Sequence, residues 1–195
     1  MTDSITLNKQ IPDTAEKVFT GKFFSIYHWP QELYDGSVVT FERARRPDSA
    51  GVIAITKNKK ILVTRQEQPS HKPFWGLFGG VVDAGETPEQ AAKRELLEEG
   101  GYHADRWSPW FSFHPSTRID WMIHAFVAYN VKKIQEPQPE PGEKIAVHAV
   151  SFEDFLELVQ QDDFRDQEVA MQLMKAMLNP EKMEAIQRLF FENRA

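Results

Sequence analysis

Gly80-Val-Val-Asp-Ala-Gly-Glu86-Thr-Pro-Glu-Gln-Ala-Ala-Lys-Arg94-Glu95-Leu-Leu-Glu98-Glu99-Gly-Gly101 is the most informative stretch of the chain. Its second half predicts a helix with both ends marked. Thr87 is an N-cap residue, Pro88 suits the first helical position, and Gln90 completes a capping box. Helix formers run to Glu99, and Gly100-Gly101 ends the helix. At about 100° per residue, Glu95, Glu98 and Glu99 fall within roughly a 100° arc. Ala91 lies inside that arc, Ala92 just outside it, and Leu96 flanks it, so the carboxylates share the side that packs against the protein. Like charges at these spacings repel, and an inward cluster without counter-charge is costly. A hard divalent cation resolves the conflict: Mg2+ or Mn2+ takes oxygen ligands and is readily shared with substrate phosphates. Arg94 is placed to pair with Glu86 and fix the preceding loop against the helix. Leu77-Phe-Gly-Gly80 lets backbone approach an ion or a phosphate closely, and a carbonyl there can serve as a further ligand.

Outward from this helix the chain reads as strands on both sides. Phe23, Phe24, Ile26 and Tyr27 lead to an Asp35-Gly36 turn, and Val38, Val39 and Phe41 follow it, predicting a hairpin. Gly51–Ile55 and Ile61–Thr64 flank a polar tetrad, which predicts a second. Residues 71–86 are glycine-rich and predict a loop with a short strand. Downstream, strands are expected near Trp110–His114, Met122–Val131 and Ile145–Val150. Residues 135–143 are too rich in proline for regular structure. From Phe152 the pattern is helical, broken at Asn179-Pro180. Strands, one interrupting helix and closing helices make an α+β order rather than repeating βαβ units. Residues 1–47 read as a polar tail, through residue 16, and a β-hairpin extension; residues 48–195 read as the main domain.

Composition sets the outer bounds. The chain has 195 residues with 41% hydrophobic and 27% charged, enough for a proper core. With 29 acidic against 23 basic residues and a net charge of −6, polymeric nucleic acid is not an expected partner. Cysteine is absent, which excludes disulfides and thiolate metal sites. No signal-peptide core or apolar run of membrane length is visible. A cytoplasmic protein without a membrane partner is the expectation.

The spacing Gly80, five residues, Glu86, seven residues, Arg94-Glu95-Leu96-x-Glu98-Glu99-x-Gly101 resembles the complete Nudix box. The last aliphatic position is Tyr102, a mild departure. The resemblance implies an α/β/α sandwich with a mixed β-sheet and divalent-metal-dependent hydrolysis of a nucleoside diphosphate linked to another group. It implies Glu95, Glu98 and Glu99 as metal ligands with the Gly79 carbonyl, and Glu86 and Arg94 as residues that orient the loop and helix.

The flanks are similar to the ADP-ribose pyrophosphatase and nucleotide-sugar hydrolase branch. An N-terminal hairpin precedes the core, Val63-Thr-Arg-Gln66 ends a strand, Trp75-x-Leu77 approaches the box, and Pro115-Ser116 follows it. That branch implies a homodimer built through the hairpin, a small-molecule nucleoside diphosphate substrate, and a late acidic loop supplying the base. Glu143 best matches the base, with Glu140 second. The branch usually carries Arg where this chain has Gln68, and Glu-Leu-Pro-Ala-Gly where it has Gly76-Leu-Phe-Gly-Gly80. Both differences touch substrate binding, for which Arg65, Gln68, Arg46 and Ser116 are candidates, with Arg43 and Arg45 beside them. Trp29, Trp75, Phe78 and Trp110 are candidates to stack on a base. A triphosphate or dinucleoside polyphosphate hydrolase, and a nucleotide-sensing module without catalysis, are the rival readings.

Overall fold

In the computed structural model, residues 11–192 are described; most of the expected polar tail, residues 1–10, lies outside them. The strands are β1 (Glu16–Thr20), β2 (Ser25–Glu32), β3 (Val38–Arg45), β4 (Ser49–Thr56), β5 (Ile61–Glu67), β6 (Phe74–Gly76), β7 (Phe78–Val81), β8 (Tyr102–His103), β9 (Arg106–Phe113), β10 (Ile119–Asp120), β11 (Ile123–Lys133) and β12 (Lys144–Val150). The helices are α1 (Pro88–Gly100), α2 (Phe152–Leu158), α3 (Gln167–Met177) and α4 (Pro180–Gln187), followed by a short π-helix, Arg188–Glu192.

Two compact units result. The first takes the chain through Asp48 together with His114–Met122; the second takes Ser49–Phe113 and Ile123–Ala195. In the first, the sheet order is β1-β2-β3-β10. The Asp35-Gly36 turn closes the β2–β3 hairpin: Asp35 Oδ1 accepts from the Ser37 amide and hydroxyl, and Gly36 has φ +81°. The Arg45 guanidinium holds Asp120 Oδ2 at 2.7 Å, tying β3 to the parallel β10. Strand β1 begins inside the segment expected to be a tail, and residues 114–122 join this unit through pairings that no local pattern announces.

The second unit is a sheet of order β12-β5-β4-β11-β8, with β6 on β5, β7 on β4 and β9 on β11. The β4–β11 pair is parallel and its neighbours antiparallel, so the sheet is mixed. Side chains alternate across it, as strands require. Val52 and Ala54 with Leu62, Phe126 and Ala128 pack against Ala91, Ala92 and Leu96 of α1. Ile53, Ile55, Ile61, Val63, Val127 and Tyr129 face the helices α2 to α4 through Phe155, Leu158, Val169, Leu173 and Ile186. Both faces are covered, giving the α/β/α sandwich.

Three local readings change. The loop over 71–86 contains two short strands, β6 and β7. Strand β9 starts at Arg106, four residues before Trp110. Among the described residues it pairs only with β11, and the register slips between Ala125 and Phe126, where Phe111 and Pro109 are the partners. A proline is tolerated at such an edge bulge. The closing helices are interrupted between α2 and α3 as well as at Asn179-Pro180, where Asn179 caps α4. Among the described residues no helix is long and apolar enough to cross a membrane.

Candidate active site

The capping box at the start of α1 is complete: Thr87 Oγ1 accepts from the Gln90 amide at 3.2 Å, and Gln90 Oε1 accepts from the Thr87 amide at 2.7 Å. At the other end Gly101 is left-handed, φ +72°, and a side chain there would run into the Gln135 carbonyl. Between these caps, burial of Ala91, Ala92 and Leu96 fixes the helix's rotation. Glu95 and Glu99 are thereby turned toward β7. Glu99 is only 5% exposed, and its Oε2 accepts the Gly79 amide hydrogen at 2.9 Å. A Cβ on Gly80 would occupy the space of the Glu95 carboxylate, which is why glycine stands there.

Arg94 joins the loop to the helix. Its Nε and Nη2 hold the two oxygens of Glu86 at 3.0 and 3.2 Å, and Nη2 also donates to the Val81 carbonyl at 2.9 Å. Its Nη1 donates to Glu95 Oε1 at 2.7 Å and Glu98 Oε2 at 3.1 Å. The hydrogen bonds to Glu86, with those to Glu95 and Glu98, push its pKa upward, while Arg94 in turn lowers Glu86. Burial raises Glu95 and raises Glu99 well above the usual carboxylate range. The negative charges of Glu95, Glu143 and Asp166 push Glu99 further the same way.

The proline-rich loop reaches this site from the C-terminal end of α1. The Gln138 amide donates to the Glu98 carbonyl at 2.6 Å, and the Glu143 amide to the Glu140 carbonyl at 3.0 Å. Glu143 Oε1 then accepts from Gln68 Nε2 at 2.9 Å. Burial and the neighbouring Glu140 raise the Glu143 pKa. Glu67, Gln68, Pro69, His71, Pro73, Gly142 and Lys144 line a cavity of about 260 Å³ beside this pair.

Other candidate residues have contacts of their own. On β5, Arg65 follows Val63 on the face covered by α2 to α4, opposite α1; it pairs with Asp163 and lies 5.2 Å over the Trp75 ring. In the other unit, the Arg46 guanidinium sits 4.2 Å from both the Phe23 and Trp121 rings, and Ser116 Oγ accepts from the Arg118 amide at 3.1 Å. Phe78 is wholly buried under α1, Trp29 is buried in the first unit edge-on to Phe41, and Trp110 packs edge-on against Phe111 and Phe190.

The groups behind β7 carry no motif in the sequence. The Leu77 amide donates to Asp166 Oδ2 at 2.8 Å, and the Leu77 carbonyl accepts from Thr64 Oγ1 and Gln66 Nε2, both at 3.4 Å. Burial raises Asp166 to about 6 and Glu168 to about 7. The only signal in the sequence is Asp166 itself, which as a helix-start residue reads as a cap.

The donor set fits a hard divalent cation: carboxylate and carbonyl oxygens from Glu95, Glu98, Glu99 and Gly79, with neither sulfur nor imidazole among them. Among the described residues, no three acidic or histidine side chains are yet drawn together closely enough to hold an ion. Arg94 engages Glu95 and Glu98, and the Gly79 amide engages Glu99. The carboxylates with raised pKa values are those that an added positive charge would relieve.

A NUDIX domain model matches residues 45–173. The chain is 30% identical over 158 residues to an ADP-ribose pyrophosphatase of Bacillus subtilis, covering 80% of this chain and 85% of that protein. It is 33% identical over 121 residues to a methanol dehydrogenase activator of Bacillus methanolicus, covering 61% of this chain and 65% of the relative. The fold is similar to the crystal structure of an ADP compounds hydrolase: the TM-score is 0.68 at 21% identity, over 86% of this chain and 92% of that one.

Proposed function

The chain belongs to the Nudix family of hydrolases, and on that premise we propose that it is a Mg2+-dependent pyrophosphohydrolase of ADP-ribose or another nucleoside diphosphate sugar. The products are a nucleoside monophosphate and a sugar phosphate. The observation that carries this reading is the buried Glu99, backed by Glu95 and facing the charge of Glu143 from the opposite loop. The B. subtilis ADP-ribose pyrophosphatase, matched over most of both chains, supports the substrate class.

Glu95, Glu98, Glu99 and the Gly79 carbonyl would hold the ion or ions. Bound Mg2+ supplies positive charge that neutralises the diphosphate and makes it a better electrophile. Glu143 takes the proton of the attacking water, and its raised pKa brings it closer to working pH, as a general base requires. Gln68 keeps the Glu143 carboxylate in place through Oε1. Attack is in line on phosphorus; the new P–O bond forms as the bond to the bridging oxygen breaks, and the second phosphate leaves as a monoester. Glu86 and Arg94 touch none of the reacting atoms and keep loop and helix in register.

A second copy of this chain is the expected partner, docking on the sheet of the smaller unit. Val18, Phe19, Phe23, Phe24, Val39 and Phe41 leave substantial apolar surface exposed there. Light scattering should give twice the monomer mass, and Phe19→Lys should shift it toward the monomer.

The substrate reading is tested by incubating the protein and Mg2+ with ADP-ribose, nucleotide sugars, nucleoside triphosphates and dinucleoside polyphosphates, and measuring released phosphomonoesters. Turnover of triphosphates far above that of every diphosphate-linked sugar would reject it.

A further inference from the structure

The geometry points to Asp166 as a positioning residue of the metal site, fixing from the start of α3 the backbone that carries Gly79 and orients Glu99. The inference rests on the reading of Glu99 and the Gly79 carbonyl as metal ligands.

Asp166 stands at the N-cap of α3, yet its side chain makes no hydrogen bond to that helix. An N-cap aspartate ordinarily accepts from an amide of its own first turn. Here the carboxylate accepts instead from the Leu77 amide, 89 residues away, at 2.8 Å. The Leu77 carbonyl is held from the other side by Thr64 Oγ1 and Gln66 Nε2, themselves joined at 2.9 Å. One peptide segment is thus gripped at both its donor and its acceptor by buried or partly buried side chains. Two residues on, the Gly79 amide donates to Glu99 Oε2 at 2.9 Å. A Cβ on Gly76 would lie 3.1 Å from Asp166 Oδ2, so the turn entering β7 is shaped around this carboxylate.

The chain of contacts runs from Asp166 to Leu77, along β7 to Gly79, and from Gly79 to Glu99. Groups that orient metal ligands commonly carry about 10- to 100-fold in affinity or activity. Because the Asp166 side chain leaves its own helix uncapped, its removal should disturb metal binding more than folding.

The test is Mn2+ affinity by paramagnetic resonance titration, alongside melting in EDTA and the Mg2+ concentration giving half-maximal activity. Asp166→Ala should weaken Mn2+ about tenfold and raise the Mg2+ requirement in parallel, with only a small change in melting temperature. Asp166→Asn, which retains an oxygen to accept from Leu77, should remain within about threefold of the original affinity. Should the alanine variant not fold, Asp166→Glu keeps the charge, moves it by one methylene, and should also weaken Mn2+. Unchanged affinity in Asp166→Ala, or in Asp166→Glu where the alanine form is unfolded, overturns the inference if Glu99→Gln in the same assay is weakened. Unchanged affinity in Glu99→Gln overturns the metal reading and this inference with it.

Discussion

Arg94 ties one guanidinium to three carboxylates and a carbonyl: Glu86, Glu95, Glu98 and Val81. A lysine ammonium cannot reproduce that planar fork. Arg94→Lys should therefore lower stability by about 1–3 kcal/mol in urea titration and reduce turnover, because the loop before α1 loses its anchor. Glu143→Gln should behave differently. It preserves the size of the side chain but removes the proton acceptor, so kcat should fall by about 10²–10⁴ with KM little changed. A loss below tenfold would move the base to Glu140 or to a carboxylate of α1. At this scale, the residues of α1 were readable because their chemistry is written at fixed local spacing. Glu86 directly precedes the capping box and Arg94 lies one helix turn beyond it, so their pairing follows from the sequence. Asp166 was not readable: its partner is Leu77, and only the folded sheet brings α3 behind β7. The Asp163 and Trp75 contacts of Arg65 are hidden for the same reason, since the sheet face it occupies is decided by β5 as a whole.

Helix α1 shows what local encoding achieves for an element. Both caps and its buried face follow from nearest-neighbour rules, and the structure places them where those rules say. Thr87→Ala should cost about 1 kcal/mol, read as a lowered urea midpoint at constant slope. Gly101→Ala should cost more, because left-handed backbone strain is added to the collision with the Gln135 carbonyl. Elements governed by pairing were less legible. The start of β9 was hidden by Pro109, which looks like a breaker and is accommodated at an edge bulge. Strands β6 and β7 are short and glycine-rich, and they exist only because β5 and β4 offer them hydrogen-bonding edges. The segment 114–122 has no pattern of its own, and its two-residue strand β10 depends on β3.

For the whole molecule, the uneven distribution of perturbed carboxylates makes stability depend on pH. Asp166 rises from 3.8 to about 6 and Glu168 from 4.5 to about 7 on folding, both through burial. A carboxyl whose pKa is raised in the folded state favours folding fully below its unfolded pKa, and that contribution is lost as pH climbs through the folded value. The window here runs from about pH 4 to pH 7. Glu95, Glu99 and Glu143 are raised and act in the same direction. Glu86 and the helix-capping Asp154 are lowered and act oppositely, but their gain is complete once pH exceeds the ordinary carboxylate range. Between pH 5 and pH 8 the balance therefore falls, so melting in EDTA should occur at a lower temperature at pH 8 than at pH 5. Glu168→Gln should flatten that slope, stabilising the protein by about 2 kcal/mol at pH 8 and far less near pH 4. Mg2+ should raise the melting temperature more at pH 8 than at pH 5, because protons compete for the same oxygens. A melting temperature that rises steadily from pH 5 to pH 8 in EDTA would contradict the burial of these groups. The −6 net charge contributes less to this behaviour than its location does: the raised carboxylates are gathered on α1, on the loop before β12 and at the start of α3, and they set the slope.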